Sequence, residues 1–147
     1  MITIPDTHID LFEKPVVVAM ATLMPDGQPQ VNCVWADFDG EYLWMFTVKD
    51  FQKARNLYLN PRVTLLAVDP DNPYRYVEVR GKAVELSEEN VERIADRLAK
   101  KYTGKDHYYG GVEPEENRGG QALLSVKIEP KRVVTRHATL QRMFQCR

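Results

Sequence analysis

The chain has 147 residues, 20 of them Lys or Arg against 21 Asp or Glu, with 44% hydrophobic and 28% charged residues, which suits one soluble domain (1–147) with a real core. A formal net charge of −1 argues against a nucleic-acid binder held by bulk charge. No apolar run approaches the length that crosses a membrane, and MITIPDTHIDLFEKP lacks the basic and apolar regions of a signal peptide, so a cytoplasmic protein with no membrane partner is expected.

The first element with a clear pattern is PVVVAMATL (15–23), a β-branched apolar run that ends in the turn MPDGQP. QVNCVWADF (30–38) follows at once, so the pair reads as a hairpin. Asp39-Gly40 predicts a second hairpin into EYLWMFTV (41–48), which alternates like a half-buried strand. A short helix is predicted over 50–59, stopped by Asn60-Pro61, and RVTLLAVD (62–69) opens the next strand. YRYVEVRGKAVEL (74–86) alternates over a long span, with Gly81 as a bulge or bend. SEENVERIADRLAKKY (87–102) predicts an amphipathic helix with apolar residues at 91, 94, 95 and 98, opened by a capping box of Ser87 and Asn90. A polar loop (104–120) precedes two expected strands, QALLSVKIEP and KRVVTRHA, on either side of Pro130.

Six or seven antiparallel strands in so short a chain favour a closed barrel, because closure removes exposed edges. The fold class expected is therefore mainly β, a β-barrel with short helices. There is no βαβ alternation and no Gly-rich phosphate loop, which excludes a doubly wound fold. Cys33 and Cys146 lie far apart without ligand spacing and read as free thiols. His8, His107 and His137 stand alone, as surface or internally satisfied histidines, and no metal site is expected. Neither HExxH nor GxSxG occurs.

One local feature resists a purely structural reading. The helix of KDFQKARNLYLN begins with Lys49, Lys53 and Arg55, although a helix N-terminus already carries partial positive charge and favours acidic residues. Cations there make sense around an anion. Taken alone, they are equally a solvated helix face.

The segments ATLMPDGQPQVNCVW, LWMFTVKDFQKARNLYLNPRVTLLAVD, DPDNPYRYVEVRGKAVEL and DRLAKKYTGKDHY occur in this order. Over roughly Pro15 to Val134 the chain resembles the pyridoxamine 5'-phosphate oxidase-like, flavin-binding split-barrel family, and within it the branch that uses the deazaflavin coenzyme F-420. Residues 1–14 and the tail TLQRMFQCR fall outside the resemblance.

The resemblance implies an FMN-binding split barrel that forms a homodimer, with the cofactor in the cleft between subunits and a small-molecule substrate above its ring. It places the cofactor phosphate at Thr47 and Lys53, with Arg55 as a second partner. Family members of the oxidase type carry a cation where this chain has Gln52, which shifts part of the task to Lys49 or Arg55. Asn32 and Trp35 are candidates for the ring edge and the ring face, although a paired strand Asn and a core Trp are equally ordinary. Tyr76, with Tyr74 beside it, is the matching contact from the partner subunit, or else an ordinary pair of interface tyrosines. Asn56 reads as structural.

The implied activity is hydride transfer between a bound cofactor and a small organic substrate, with coenzyme F-420 favoured over FMN. Its longer anionic tail suits a spread of cations such as Lys49, Lys53, Arg55 and Lys105. A non-catalytic cofactor carrier is the alternative, and an oxidase acting on pyridoxamine phosphate itself is a third. No catalytic acid or base is assigned.

Overall fold

A computed structural model describes residues 2–137. They form α1 (Asp10–Glu13), β1 (Val18–Leu23), β2 (Pro29–Val34), β3 (Asp37–Phe38), β4 (Leu43–Val48), α2 (Gln52–Leu59), β5 (Arg62–Val68), β6 (Arg75–Ser87), α3 (Val91–Thr103) and β7 (Leu123–His137), with a 3-10 turn at Glu115–Asn117. The tail TLQRMFQCR, with Cys146, lies outside the described residues.

The strands pair antiparallel in the order β2-β1-β5-β6-β7-β4-β3. The two ends of this ladder, β2 and β3, are consecutive in the chain, separated only by Trp35 and Ala36. Three Cα steps of 3.8 Å hold the end of β2 within about 11 Å of the start of β3, so the sheet has to curl until its edges meet. This is the expected barrel, left with a seam: a split barrel. The single strand expected over 30–38 is broken at Trp35 and Ala36, where the chain passes from one edge to the other.

Alternation fills the inside. Val18 and Met20, Leu43 and Met45, Leu65 and Ala67, Val77 and Val79, and Val126 and Ile128 all point inward and are buried. The two strands expected around Pro130 are one long strand, because β6 and β7 shift register between Arg80 and Gly81, opposite Pro130. A Cβ on Gly81 would stand 2.6 Å from the Glu129 carbonyl oxygen, so the missing side chain lets the strands close over this bulge.

The N-terminal segment plugs one end of the barrel. Ile4, Leu11 and Phe12 are buried in the main core, and Arg75 donates to Asp10, to Asp69 and to the Thr7 carbonyl. His8 is buried, with Nε2 2.9 Å from the Arg136 carbonyl and Nδ1 2.8 Å from the Thr7 hydroxyl, a satisfied histidine as expected. The helix α2 packs against β1 and β4, burying Ala54, Asn56 and Leu57.

The helix α3 buries Val91, Ile94, Ala95 and Leu98, the positions its periodicity predicts. It ends at Gly104, whose φ of 78° is the left-handed conformation that closes a helix. Its predicted capping box does not form. Ser87 is still in β6, opposite Ser125, and its Oγ accepts from the Glu89 N–H at 3.1 Å, while Asn90 makes no side-chain cap. No helix among the described residues is long and apolar enough to cross a membrane.

Candidate functional site

The seam is where the sheet runs out of partners. β4 pairs along its whole length with β7, but on its other flank only Leu43 and Trp44 are covered, by the two residues of β3. β2 pairs only with β1. The remaining flanks of both strands therefore face the seam with free backbone donors and acceptors.

A groove of about 250 Å³ opens beside the seam, lined by Val17, Cys33, Val34, Trp35, Phe46 and Lys53. Its walls are aromatic and aliphatic. The Trp35 ring is backed by Tyr102, stacked at 5.2 Å and 11° between planes, and Phe46 is backed by Tyr108, edge-on at 5.0 Å. Cys33 is free and exposed.

Lys53 is the polar group of this groove. Among the described residues it has no hydrogen bond or ion pair, only the Phe51 ring at 5.9 Å, and partial burial holds its pKa below the ordinary lysine value. It stands in the first turn of α2, which has no side-chain cap and no acidic residue in that turn. Free N–H groups, the positive end of the helix dipole and an unpaired ammonium thus converge, an arrangement that accepts an anion.

The other expected cations are engaged elsewhere. Lys49 forms an exposed ion pair with Glu88 at 3.0 Å. Arg55 folds back on its own helix, donating to the Asp50 carbonyl at 3.1 Å and to Gln52 Oε1 at 2.6 Å. Gln52 in turn donates to Asn56 Oδ1 at 2.8 Å, and the buried Asn56 donates to Thr22 Oγ1 at 3.0 Å, so Asn56 has the structural role read from the sequence. Lys105 stands beyond the end of α3 and does not line the groove.

Asn32 and Thr47 belong to the strands that bound the seam, but to their inner faces: Asn32 lies opposite Met20, and Thr47 follows Leu43 and Met45 in alternation. Asn32 Oδ1 and Thr47 Oγ1 are buried and have no partner among the described residues. Unpartnered buried polar atoms are rare in native folds and call for a ligand or water to complete them. Tyr76 faces outward on β6, alternating with buried Val77 and Val79. Tyr74 does not share its strand face, because β6 begins at Arg75 and Tyr74 sits in the preceding turn, its N–H bonded to Asn72 Oδ1 at 3.2 Å. Neither tyrosine lines the groove of its own chain.

The outer face of β1, β2 and β5 continues from the groove as an apolar surface. Val17 and Val31 are 55% and 62% exposed, and Ala19, Ala21, Val31 and Leu66 line a shallow depression there with Thr64 and Glu78. Sequence reasoning missed Phe46's partner Tyr108 and Trp35's partner Tyr102 because they come from distant loop and helix positions. No group of His, Cys, Asp and Glu among the described residues could hold a metal.

Comparison with known proteins agrees with this architecture. The family model of pyridoxamine 5'-phosphate oxidase matches residues 4–137. The chain belongs to the pyridoxamine 5'-phosphate oxidase family. The match begins at Ile4, so it takes in the N-terminal plug that the sequence resemblance, drawn at 15–134, left out. Among solved structures, this family member is similar to an F-420 reductase, with 33% identity and a TM-score of 0.77 over 89% of this chain and 98% of that one. It is also similar to a conserved hypothetical protein from Mycobacterium tuberculosis, with 30% identity and a TM-score of 0.71 over 90% and 88% of the two chains. The HupZ protein of Group A Streptococcus, at 17% identity and a TM-score of 0.64 over 92% and 99%, shares the fold. No curated protein matches the chain.

Proposed function

We propose that the groove holds the ring and first phosphate of a flavin-type cofactor, coenzyme F-420 before FMN, in a cytoplasmic homodimeric oxidoreductase that acts on a small organic substrate. The observation that carries this reading is Lys53, a partly buried cation without a hydrogen-bond or ion-pair partner among the described residues, at an uncapped helix start beside a groove walled by Trp35 and Phe46.

The residues fit such a group. A phosphate at the start of α2 meets Lys53 and the free N–H groups of the first turn. Trp35 and Phe46 would hold a planar ring, and the unpaired flanks of β2 and β4 would supply hydrogen bonds to its polar edge. Asn32 Oδ1 and Thr47 Oγ1 are the buried side-chain atoms still in need of a partner along the same strands.

When bound, a flavin or deazaflavin supplies two-electron hydride chemistry. The chain's own part is to anchor, orient and exclude water. Apart from Lys53, the only titratable residue lining the groove among the described residues is Cys33, so no side chain here is assigned as acid or base. That same scarcity favours the second reading, a carrier that binds the cofactor without turnover.

Support for the homodimer comes from size and surface. The groove of one chain, about 250 Å³, falls below the ~300–1,000 Å³ of pockets that enclose a ligand, and the exposed apolar face adjoining it is of the kind that a second copy covers. Tyr76 lies on an outward face and would reach a cofactor only across such an interface. Coenzyme F-420 is preferred because the relative named an F-420 reductase is 33% identical, and because Gln52 is bonded to Asn56 and Arg55 where a second phosphate cation would stand.

The test is a parallel titration of purified apo-protein with coenzyme F-420 and FMN, followed by reoxidation of the reduced complex in air. Tighter binding of F-420 and slow reaction with oxygen are expected. Tighter FMN binding with fast reoxidation reverses the cofactor choice, and binding of neither refutes the site.

A further inference from the structure

The aromatic wall of the groove depends on a residue that does not face it. Trp35 lies at the break between β2 and β3, where no ladder holds the backbone. Both polar groups of the next residue, Ala36, are instead taken by the last turn of α3. The Ala36 N–H donates to the Tyr102 hydroxyl at 3.1 Å, and that hydroxyl donates to the Val16 carbonyl at 2.6 Å. Lys101 Nζ donates to the Ala36 carbonyl at 2.7 Å and to the Phe12 carbonyl, with Asp37 Oδ1 3.4 Å away. The Tyr102 ring then stacks on the indole of Trp35, 5.2 Å between centroids and nearly parallel.

We infer that Tyr102 is a positioning residue for the cofactor groove, fixing the Trp35 indole from behind by its ring and the Trp35–Ala36 backbone by its hydroxyl. This rests on the proposed function of the groove. Trp35 lies outside both ladders, so the orientation of its indole depends on what packs against it. Tyr102 does so through two independent contacts, one to the ring and one to the backbone. Lys101 completes the hold on Ala36 and keeps its ammonium 5.3 Å from the Tyr102 ring. Burial favours the neutral phenol of Tyr102, the form that can donate to Val16.

The experiment uses the full chain with Trp44→Phe, so that the remaining tryptophan, Trp35, reports alone. Acrylamide quenching of its fluorescence is measured in the parent, Tyr102→Phe and Tyr102→Leu, together with titration by coenzyme F-420 and FMN. Tyr102→Leu should make Trp35 clearly more accessible to quencher and weaken cofactor binding by about tenfold, the upper range for losing an aromatic pair. Tyr102→Phe keeps the ring and should fall between Tyr102→Leu and the parent in both readouts, which separates positioning from a general loss of fold. Quenching of Trp35 unchanged in Tyr102→Leu overturns the inference, whether or not any cofactor binds. Freed Trp35 with unchanged affinity overturns it too. A parent that binds neither cofactor refutes the proposed function instead, and the quenching result then decides the position of Trp35 on its own.

Discussion

The plugged end of the barrel and its seam are built from the same strands and treat their polar groups in opposite ways. At the plugged end Arg75 meets Asp10, Asp69 and a carbonyl, and both ring nitrogens of His8 are engaged. At the seam, Asn32 Oδ1 and Thr47 Oγ1 are buried without partners, Lys53 is unpaired among the described residues, and two strand flanks go uncovered. Each unsatisfied buried group costs about 1–3 kcal/mol. The polar groups of the plugged end thus stabilise the fold, whereas those of the seam are left open, as the proposed binding role requires.

The largest expected effect breaks the plugged end alone. Phe12 is wholly buried, and Phe12→Ala should cost about 3–5 kcal/mol of stability in a denaturant titration. Cofactor affinity of the folded fraction should stay near that of the parent. A comparable loss of affinity would mean that the two ends are coupled.

Asn56 tests the boundary between the regions, because it ties α2 to β1 through Thr22. Asn56→Ala should cost about 1–3 kcal/mol, the penalty of leaving its buried partners unsatisfied. Here affinity should fall along with stability, since α2 carries Lys53. Stability lost with affinity unchanged would place the anion somewhere other than the start of α2.

The pH dependence sharpens the contrast further. Burial lowers the Lys53 pKa below 10.5 in the free protein. Between that lowered value and 10.5 the unfolded chain binds more protons, so this group makes the free protein gain stability as pH rises through the window. Binding of an anionic cofactor needs the ammonium and should do the reverse, constant at lower pH and weakening as pH rises through the lowered lysine pKa. Titrations across that range should show the decline in the parent and a flat profile in Lys53→Ala.

The smallest effect is expected at Lys49, whose exposed pair with Glu88 lies off the groove. Lys49→Ala should leave both the unfolding midpoint and cofactor affinity where they were. A clear loss of affinity would return Lys49 to the anion site.

Much of this contrast could be read from the residues. The alternation in EYLWMFTV and in the long strand 74–86, the bulge at Gly81 and the buried face of α3 were all local patterns with a single geometric solution. The break at Trp35–Ala36 was not, because the apolar run Cys33-Val34-Trp35-Ala36 carries no turn residue and only barrel closure forces the chain to change edges. The plug escaped for a related reason: Ile4, Leu11 and Phe12 carry no period, and their burial depends on a cavity formed by strands far along the chain. The capping box does not form because Ser87 lies in the ladder with β7, opposite Ser125. Family resemblance singles out Lys53, which lines the groove, whereas charge alone does not separate it from Lys49 and Arg55. That distinction depends on whether a side chain finds a partner in three dimensions, as Lys49 does in Glu88 and Arg55 in Gln52.

The central claim, that the seam is a cofactor site anchored by Lys53, is tested most directly by titrating Lys53→Ala and the parent with coenzyme F-420 and FMN while following their thermal unfolding. The account expects binding of the preferred cofactor to weaken by about 1.5–3 kcal/mol, the worth of a hydrogen bond to a charged group, with no loss of stability in the free protein. Parent-like affinity in Lys53→Ala would contradict it and return KDFQKARN to a solvated helix face.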